Sequence, residues 1–424
     1  MYAVLVGTFT LRFSTGLTGG LLVFYLRDLH VSELTLATLT ATFFAAELVL
    51  STPFGLLSDR FGHHRLMQVG PIFGAIAVVM TWATTDLLVI GGTRLLEGGS
   101  TAASVPSILG FIAMVTAGDE LLRGRMAARF EGATLAGLGV GIVVAGVIYD
   151  GIPGMWQGLG RNGFLLNAVI YAMSFCIYRF GVSDPAGEGA TLRAPHYGWR
   201  RYATLLFSSH VWLLAPTWIA INAALGLWTS QSIFQLIKEP SAKFSDQLLM
   251  GGFVGSQIAA ALAVGLVVFF AGLAFWGERF KRLRRTTIIL YGIAGGATSI
   301  AAALLINHSA DQPYILRILF GLIAAGGVFV LAGATPAALG LLADVSESYP
   351  ADRGAIMGLY SVFLAVGQIA GGFIGGAASQ RYGIDGILYA TLGLLAVAIL
   401  PLARLRSYEH IVGVRPAELE SGSA

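Results

Sequence analysis

Four ionisable side chains stand inside long apolar runs of this sequence: Arg12, Glu47, Arg94 and Glu97. A charge held in hydrocarbon costs about 2.5–3.5 kcal/mol on insertion scales, so each should face a protein interior or a watery cavity rather than lipid. Arg94 and Glu97 are one helical turn apart. At that spacing they either pair and neutralise each other, or leave Glu97 as a proton-binding group whose affinity Arg94 modulates. Arg12 stands roughly 15 Å into its run, at ~1.5 Å per helical residue, and Glu47 lies at a similar depth. A mutual ion pair is one reading; a solute-binding arginine beside a proton-accepting glutamate is the other. The chemistry these residues offer is the taking up and release of protons and of a polar solute.

The second half of the chain contributes one comparable charge, Arg317. Three arginines against two glutamates leave the embedded charge at about plus one, which leans towards neutral or anionic solutes. Amides and aromatics of that half could shape a pocket: Trp218, Asn222, Trp228, Gln231, Gln257, Tyr360 and Gln368. Each aromatic is also an ordinary packing residue, whereas Asn222 and Gln257 carry amides that need partners at membrane depth. Enzyme chemistry finds no foothold. The sequence has no P-loop, no H-E-x-x-H and no G-x-S-x-G. Cys176 is its only cysteine and reads as a buried, inert thiol. His63 and His64 read as interface charge. No cofactor, metal or nucleic-acid partner is expected.

The elements that must position these residues follow from composition. Hydrophobic residues make up 56% of the 424, charged ones only 12%, and there are 56 glycines, well above ordinary soluble usage. Twelve apolar runs are long enough to span a bilayer at about 30 Å. They are centred in 2–26, 33–57, 66–84, 87–115, 130–149, 162–180, 209–236, 248–275, 286–306, 314–342, 354–378 and 386–403. No cleavable leader is evident, and the first run reads as a spanning helix, although it lacks the usual basic tail before it. The connections alternate in charge. Arg60, Arg65, Arg123, Arg125, Arg129, Arg179, Arg193, Arg200, Arg201, Arg279, Lys281, Arg282, Arg284, Arg285, Arg353, Arg404, Arg406 and Arg415 fall on one side. Arg27, Arg161, Lys238, Lys243 and Arg381 fall on the other. The richer side, with both termini, is expected to be cytoplasmic.

The longest polar connection divides the chain into an N-terminal six-helix bundle (1–180), a cytoplasmic linker (181–205), a C-terminal six-helix bundle (206–406) and a tail (407–424). The halves read as a duplication. Asp59-Arg60-Phe61 is echoed by Glu278-Arg279-Phe280, and Arg94-x-x-x-Gly98 by Arg317-x-x-x-Gly321. Gly137, Gly141 and Gly146 are echoed by Gly367, Gly371 and Gly376.

One connection is distinctive. Gly55-Leu-Leu-Ser-Asp59-Arg60-Phe-Gly62-His-His-Arg65 packs charges and glycines between two spans, with glycines that suit close approach and a sharp turn. Its pattern, G-x-x-x-D-R-x-G-x-x-R, resembles the signature loop between the second and third helices of the major facilitator superfamily (MFS) of secondary transporters. Arg94-Leu-Leu-Glu97-Gly98-Gly99-Ser100-Thr101-Ala102 is similar to that family's R-x-x-Q-G-x-G-A-A pattern, with glutamate in place of glutamine and Ser100 in place of glycine. Gly141-Ile142-Val143-Val144-Ala145-Gly146 stands where the family's drug-proton antiporters show G-P-x-x-G-G, without the proline.

The resemblance implies an all-α membrane protein of twelve helices in two pseudo-symmetric bundles, with solute held between them. It implies alternating access and a monomer in the plasma membrane whose partners are a small molecule, protons and lipid. Gly55, Asp59, Arg60, Gly62, Arg65, Glu278 and Arg279 would form a cytoplasmic gate, with Asp59→Asn more damaging than Glu278→Gln. Proton-coupled export, as in drug and metabolite exporters, is the first expectation. Uptake of a nutrient or organic anion by a symporter or uniporter, and a non-transporting membrane sensor, stay open.

Overall fold

The computed structural model describes residues 2–116, 120–182, 211–239, 241–279, 283–338, 341 and 353–408. Ten helices come first: α1 (Tyr2–Asp28), α2 (Glu33–Phe61), α3 (His63–Ala83), α4 (Leu87–Val115), α5 (Glu120–Asp150), α6 (Gly163–Gly181), α7 (Val211–Ile237), α8 (Gly255–Arg279), α9 (Arg285–Asn307) and α10 (Tyr314–Leu331). The helical run Arg353–Tyr408 contains one non-helical residue, Gly383 at φ 63° and ψ −141°, which separates α11 from α12. Twelve helices result among the described residues, as the apolar runs predict. The strands β1 (Gly151–Ile152) and β2 (Trp156–Gln157) form a two-residue antiparallel ladder in the connection after α5.

Local sequence explains the boundaries. Ser32 caps α2 by accepting the Thr35 N–H, and Asp86 caps α4 by accepting the Leu88 N–H at 2.8 Å. Between α2 and α3 only Gly62 is non-helical, at φ 94° and ψ 132°, a conformation that strains any residue with a Cβ. The sequence suggested a loop of several residues there. Instead Asp59 and Arg60 belong to the last turn of α2, and His63 and His64 to the first turn of α3.

Two further starts differ from the apolar runs. Helix α5 begins at Glu120 rather than near 130, because its first turns are polar and extend beyond the apolar stretch. Helix α8 begins at Gly255 rather than 248, since Leu248–Met250 form a separate 3-10 turn. That turn is held by Asn307, whose Oδ1 accepts the Leu249 N–H.

Contacts sort the chain into two compact units. One comprises residues 1–194 with 253–263; the other comprises residues 195–252 with 264–424. The start of α8 thus packs with the first unit, while the sequence division assigns all of α8 to the second bundle. Of the 181–205 linker, only Gly181 and Val182 fall among the described residues.

In the first unit α1 packs against α5 and α6, α2 against α4, and α3 against α4 and α6. Glycine allows the closest approaches. A Cβ on Gly137 would lie 2.6 Å from the Phe9 carbonyl oxygen, and one on Gly141 would collide with that of Phe13. In the second unit the counterparts behave alike. A Cβ on Gly367 would lie 2.6 Å from that of Asn222, and one on Gly371 would collide with the Ala223 carbonyl oxygen. The α1–α5 and α7–α11 seams are thus built on the same glycine spacing. Large apolar side chains such as Val169, Phe180, Val267 and Leu322 point outwards, as a lipid-facing surface requires.

Candidate functional site

The candidate ionisable residues of the first unit stand inside its helices. Arg94 and Glu97, on successive turns of α4, form a direct ion pair, with Arg94 7% and Glu97 2% exposed. The guanidinium also lies over the Phe43 ring, 4.8 Å from its centroid, a favourable cation–π arrangement. The buried Tyr171 hydroxyl of α6 donates to Glu97 Oε1 at 3.4 Å. Arg94 and Glu97 are thus paired directly.

Arg12 does not pair with Glu47. Its Nη1 donates to Thr101 Oγ1 at 3.5 Å, and no carboxylate among the described residues lies within the 4.0 Å of an ion pair. Residue Arg12 is 9% exposed. Two carboxylates nevertheless feel its charge: Glu47 of α2 and Glu131 of α5. Both are half-buried, and neither side chain has a hydrogen-bond or ion-pair partner among the described residues.

Glu131 is a candidate residue that the apolar runs did not single out. It is the second residue of the apolar run 130–149, at the edge of that span. With α5 starting at Glu120, it stands three turns inside the helix. The signal that finds it is the helix-favouring run Glu120-Leu-Leu-Arg-Gly-Arg-Met-Ala-Ala-Arg, which carries the helix back ahead of the apolar stretch.

Arg317 moves the other way. It lies in the first turn of α10, where its Nε donates to the Ser309 carbonyl at 3.0 Å and its Nη2 to that of Ala310 at 2.6 Å. It ties the preceding connection to the helix start and is not a deep charge. Its supposed echo of Arg94 fails in the packing too, since a Cβ on Gly98 would collide with the Phe43 carbonyl oxygen whereas one on Gly321 would meet nothing within 4 Å. With Arg317 removed and Glu131 added, two arginines face three glutamates, so the embedded charge falls to about minus one.

The amides of the second unit divide similarly. Asn222 is buried and donates to the Trp218 carbonyl one turn back in α7. Gln368 of α11 is buried in the same seam, its Oε1 accepting from Thr229. Gln231 Oε1 accepts from Ser379, and Trp228 donates to Thr391 at 2.9 Å. Gln257, by contrast, is exposed at the start of α8, where its Oε1 accepts the Val254 N–H. It caps a helix and is not a pocket amide.

In the signature segment, a Cβ on Gly55 would meet only Pro106 at an ordinary 3.8 Å, so close approach is not its reason. Arg60 and Arg65 are exposed, with Arg60 over the Phe61 ring. Arg279 sits over Phe275 at 3.6 Å. The side chains of Asp59, Glu278 and Tyr360 lie outside the described residues. His64 is buried, its Nε2 3.1 Å from the Tyr178 carbonyl oxygen, so it joins α3 to α6 and is not interface charge. Cys176 is exposed on α6 and is not buried.

The opposite ends of the first-unit helices carry a second charged group. Arg27 of α1 donates to Asp150 of α5 through Nη1 and Nη2, at 3.2 and 3.0 Å. Asp150 Oδ2 also accepts the Gly255 N–H, the first of α8, at 2.9 Å.

Comparison with known proteins yields consistent findings. The family model described as Major Facilitator Superfamily matches residues 4–310 and 247–422. The chain is similar to the Quinolone resistance protein NorA of Staphylococcus aureus (strain COL), with 20% identity over 405 residues covering 94% of this chain and 95% of that one. It is similar to the Multidrug resistance protein 1 of Bacillus subtilis (strain 168), with 25% identity over 362 residues covering 83% and 82%. Among solved structures, the nucleoside transporter NupG aligns with a TM-score of 0.69 at 12% identity, covering 96% and 98%. A D-xylose-proton symporter aligns with a TM-score of 0.66 at 13% identity, covering 93% and 94%.

Proposed function

From the premise that the chain belongs to the major facilitator superfamily, and is therefore an integral membrane transporter rather than an enzyme, we propose that it is a proton-coupled exporter of small organic solutes. The observation that carries this reading is the set of three carboxylates, Glu47, Glu97 and Glu131, inside the helices of one six-helix unit with only two arginines beside them. A region with one negative charge in excess accepts one positive charge at least cost, either a proton or a cationic group of the solute. Mutual exclusion of the two at one site is antiport. Export is supported by the relatives named for quinolone and multidrug resistance.

The protein acts as a monomer in the plasma membrane, with both termini on the arginine-rich cytoplasmic side. The two six-helix bundles, 1–180 and 206–406, exchange access while the α2–α3 junction and its echo at Glu278-Arg279 gate the cytoplasmic face.

A pH-jump flux assay in proteoliposomes tests the reading, with tetraphenylphosphonium as the probe. Movement of the probe against an opposed proton gradient supports antiport. Movement with the gradient makes the protein a symporter and sinks the export claim.

A further inference from the structure

The surroundings of Arg12 define a solute group more closely than charge balance does. A guanidinium offers five N–H donors in a rigid fork that matches a carboxylate. At Arg12 a single long bond to Thr101 uses one of them. The other nitrogens are not sealed in protein without an acceptor; unlike Arg94 Nε, they open onto accessible space. The side chain is nine-tenths buried all the same. Glu47 and Glu131 lie within range of its charge yet out of contact with it, their oxygens unused by any described donor.

Had the trio evolved only to neutralise itself, the fork and a carboxylate would be expected to close on each other, as Arg94 and Glu97 do three residues apart. Left unpaired, the trio offers both free donors and free acceptors. A purely cationic solute would occupy the carboxylates and leave the fork unmatched. A purely anionic one would satisfy the fork and face two carboxylates.

We infer that the Arg12, Glu47 and Glu131 trio, with Thr101, is a binding site for a zwitterionic solute, one whose carboxylate docks on the Arg12 fork and whose ammonium docks on Glu47 or Glu131. This deepens the proton-exchange reading and rests on it. The ammonium and the transported proton compete for the same carboxylate oxygens, while the carboxylate–Arg12 contact fixes the orientation of the solute.

The test is isothermal titration of the purified full-length chain with three matched probes. These are 4-(aminomethyl)benzoic acid as the zwitterion, its methyl ester as the cation and its N-acetyl derivative as the anion. The zwitterion should bind roughly tenfold more tightly than either of the others, the effect of one charge-assisted pair. Arg12→Gln should reduce zwitterion binding to the level of the ester and leave the ester unchanged. Arg12→Lys, which keeps the charge but not the fork, should fall between and guards against misfolding of the first variant. Glu131→Gln should weaken zwitterion and ester together and spare the anion. Equal binding of ester and zwitterion, an Arg12→Gln variant that keeps the preference, or failure of all three probes to bind would overturn the assignment. Proton-driven flux of tetraphenylphosphonium is read separately. Its absence, with the zwitterion preference intact, would sink the export reading alone.

Discussion

Asp150, the last residue of α5, accepts two hydrogen bonds from Arg27, the basic residue in the last turn of α1. A carboxylate at a helix C-terminus opposes the helix dipole, and here two partners offset that cost: the guanidinium and the N–H at the start of α8. Asp150→Asn keeps the shape but removes the charge. It should destabilise the protein by about 1–3 kcal/mol, since the pair is only partly exposed. Thermal unfolding in detergent measures this, and a double-mutant cycle with Arg27→Gln should show coupling rather than additivity.

The Arg94–Glu97 pair makes a different prediction. Removing one partner strands a buried charge and should cost about 3–5 kcal/mol, whereas replacing both by methionine should restore most of the stability. The same double variant should keep the pH dependence of transport, because the exchanged proton is held by Glu47 or Glu131. Unfolding midpoints for Glu97→Gln, Arg94→Met and the double variant, read beside flux at two pH values, separate a structural contribution from a proton-handling one.

Two glycines of one motif should respond differently to alanine. Gly62→Ala forces a Cβ onto a residue at φ 94° and should cost at least about 1 kcal/mol. Gly55→Ala meets only Pro106 at 3.8 Å and should be neutral or slightly stabilising, because alanine is the better helix former by roughly 1 kcal/mol. Equal losses of thermal stability at the two positions would contradict the geometry.

The matched seams predict matched sensitivity. Gly141→Ala in α5 and Gly371→Ala in α11 each drive a methyl group into a carbonyl of the facing helix, and overpacking of this kind costs about 1–3 kcal/mol. Folded yield of the two variants should fall together, and Gly321→Ala, which meets nothing within 4 Å, serves as the control.

Arg317→Gln should lower stability slightly, by about 1–2 kcal/mol for the lost carbonyl contacts, and leave the pH profile of flux unchanged. A shifted profile would return Arg317 to the proton pathway.

The residues that were legible in the sequence, and those that were not, divide on physical grounds. Twelve helices follow from apolar run length, because the bilayer sets a minimum span that few other structures satisfy. The packing glycines of α5 and α11 follow from repeat spacing, since a close helix contact has the same requirement in both units. Polar extensions of helices leave no such trace. Glu131 stands at the very edge of its apolar stretch, and only the start of α5 ten residues earlier sets it well inside a helix, whereas Gln257 lies at a helix start because α8 begins seven residues after the start of its own stretch. Arg317 shares a motif with Arg94, but depth depends on where the helix begins, and α10 begins only three residues earlier, at Tyr314. That Arg12 touches neither Glu47 nor Glu131 could not be read at all, because sequence reveals which charges share a region and not whether they touch.

The single non-helical residue at Gly62 also bears on proteolysis. Protease active sites take several residues of extended backbone, and nicking concentrates at exposed loop tips that can supply it. A junction that passes from one spanning helix to the next through one glycine supplies none. Limited digestion of the folded protein should therefore never part α2 from α3, and the two will travel as one fragment on a gel whatever else is cut.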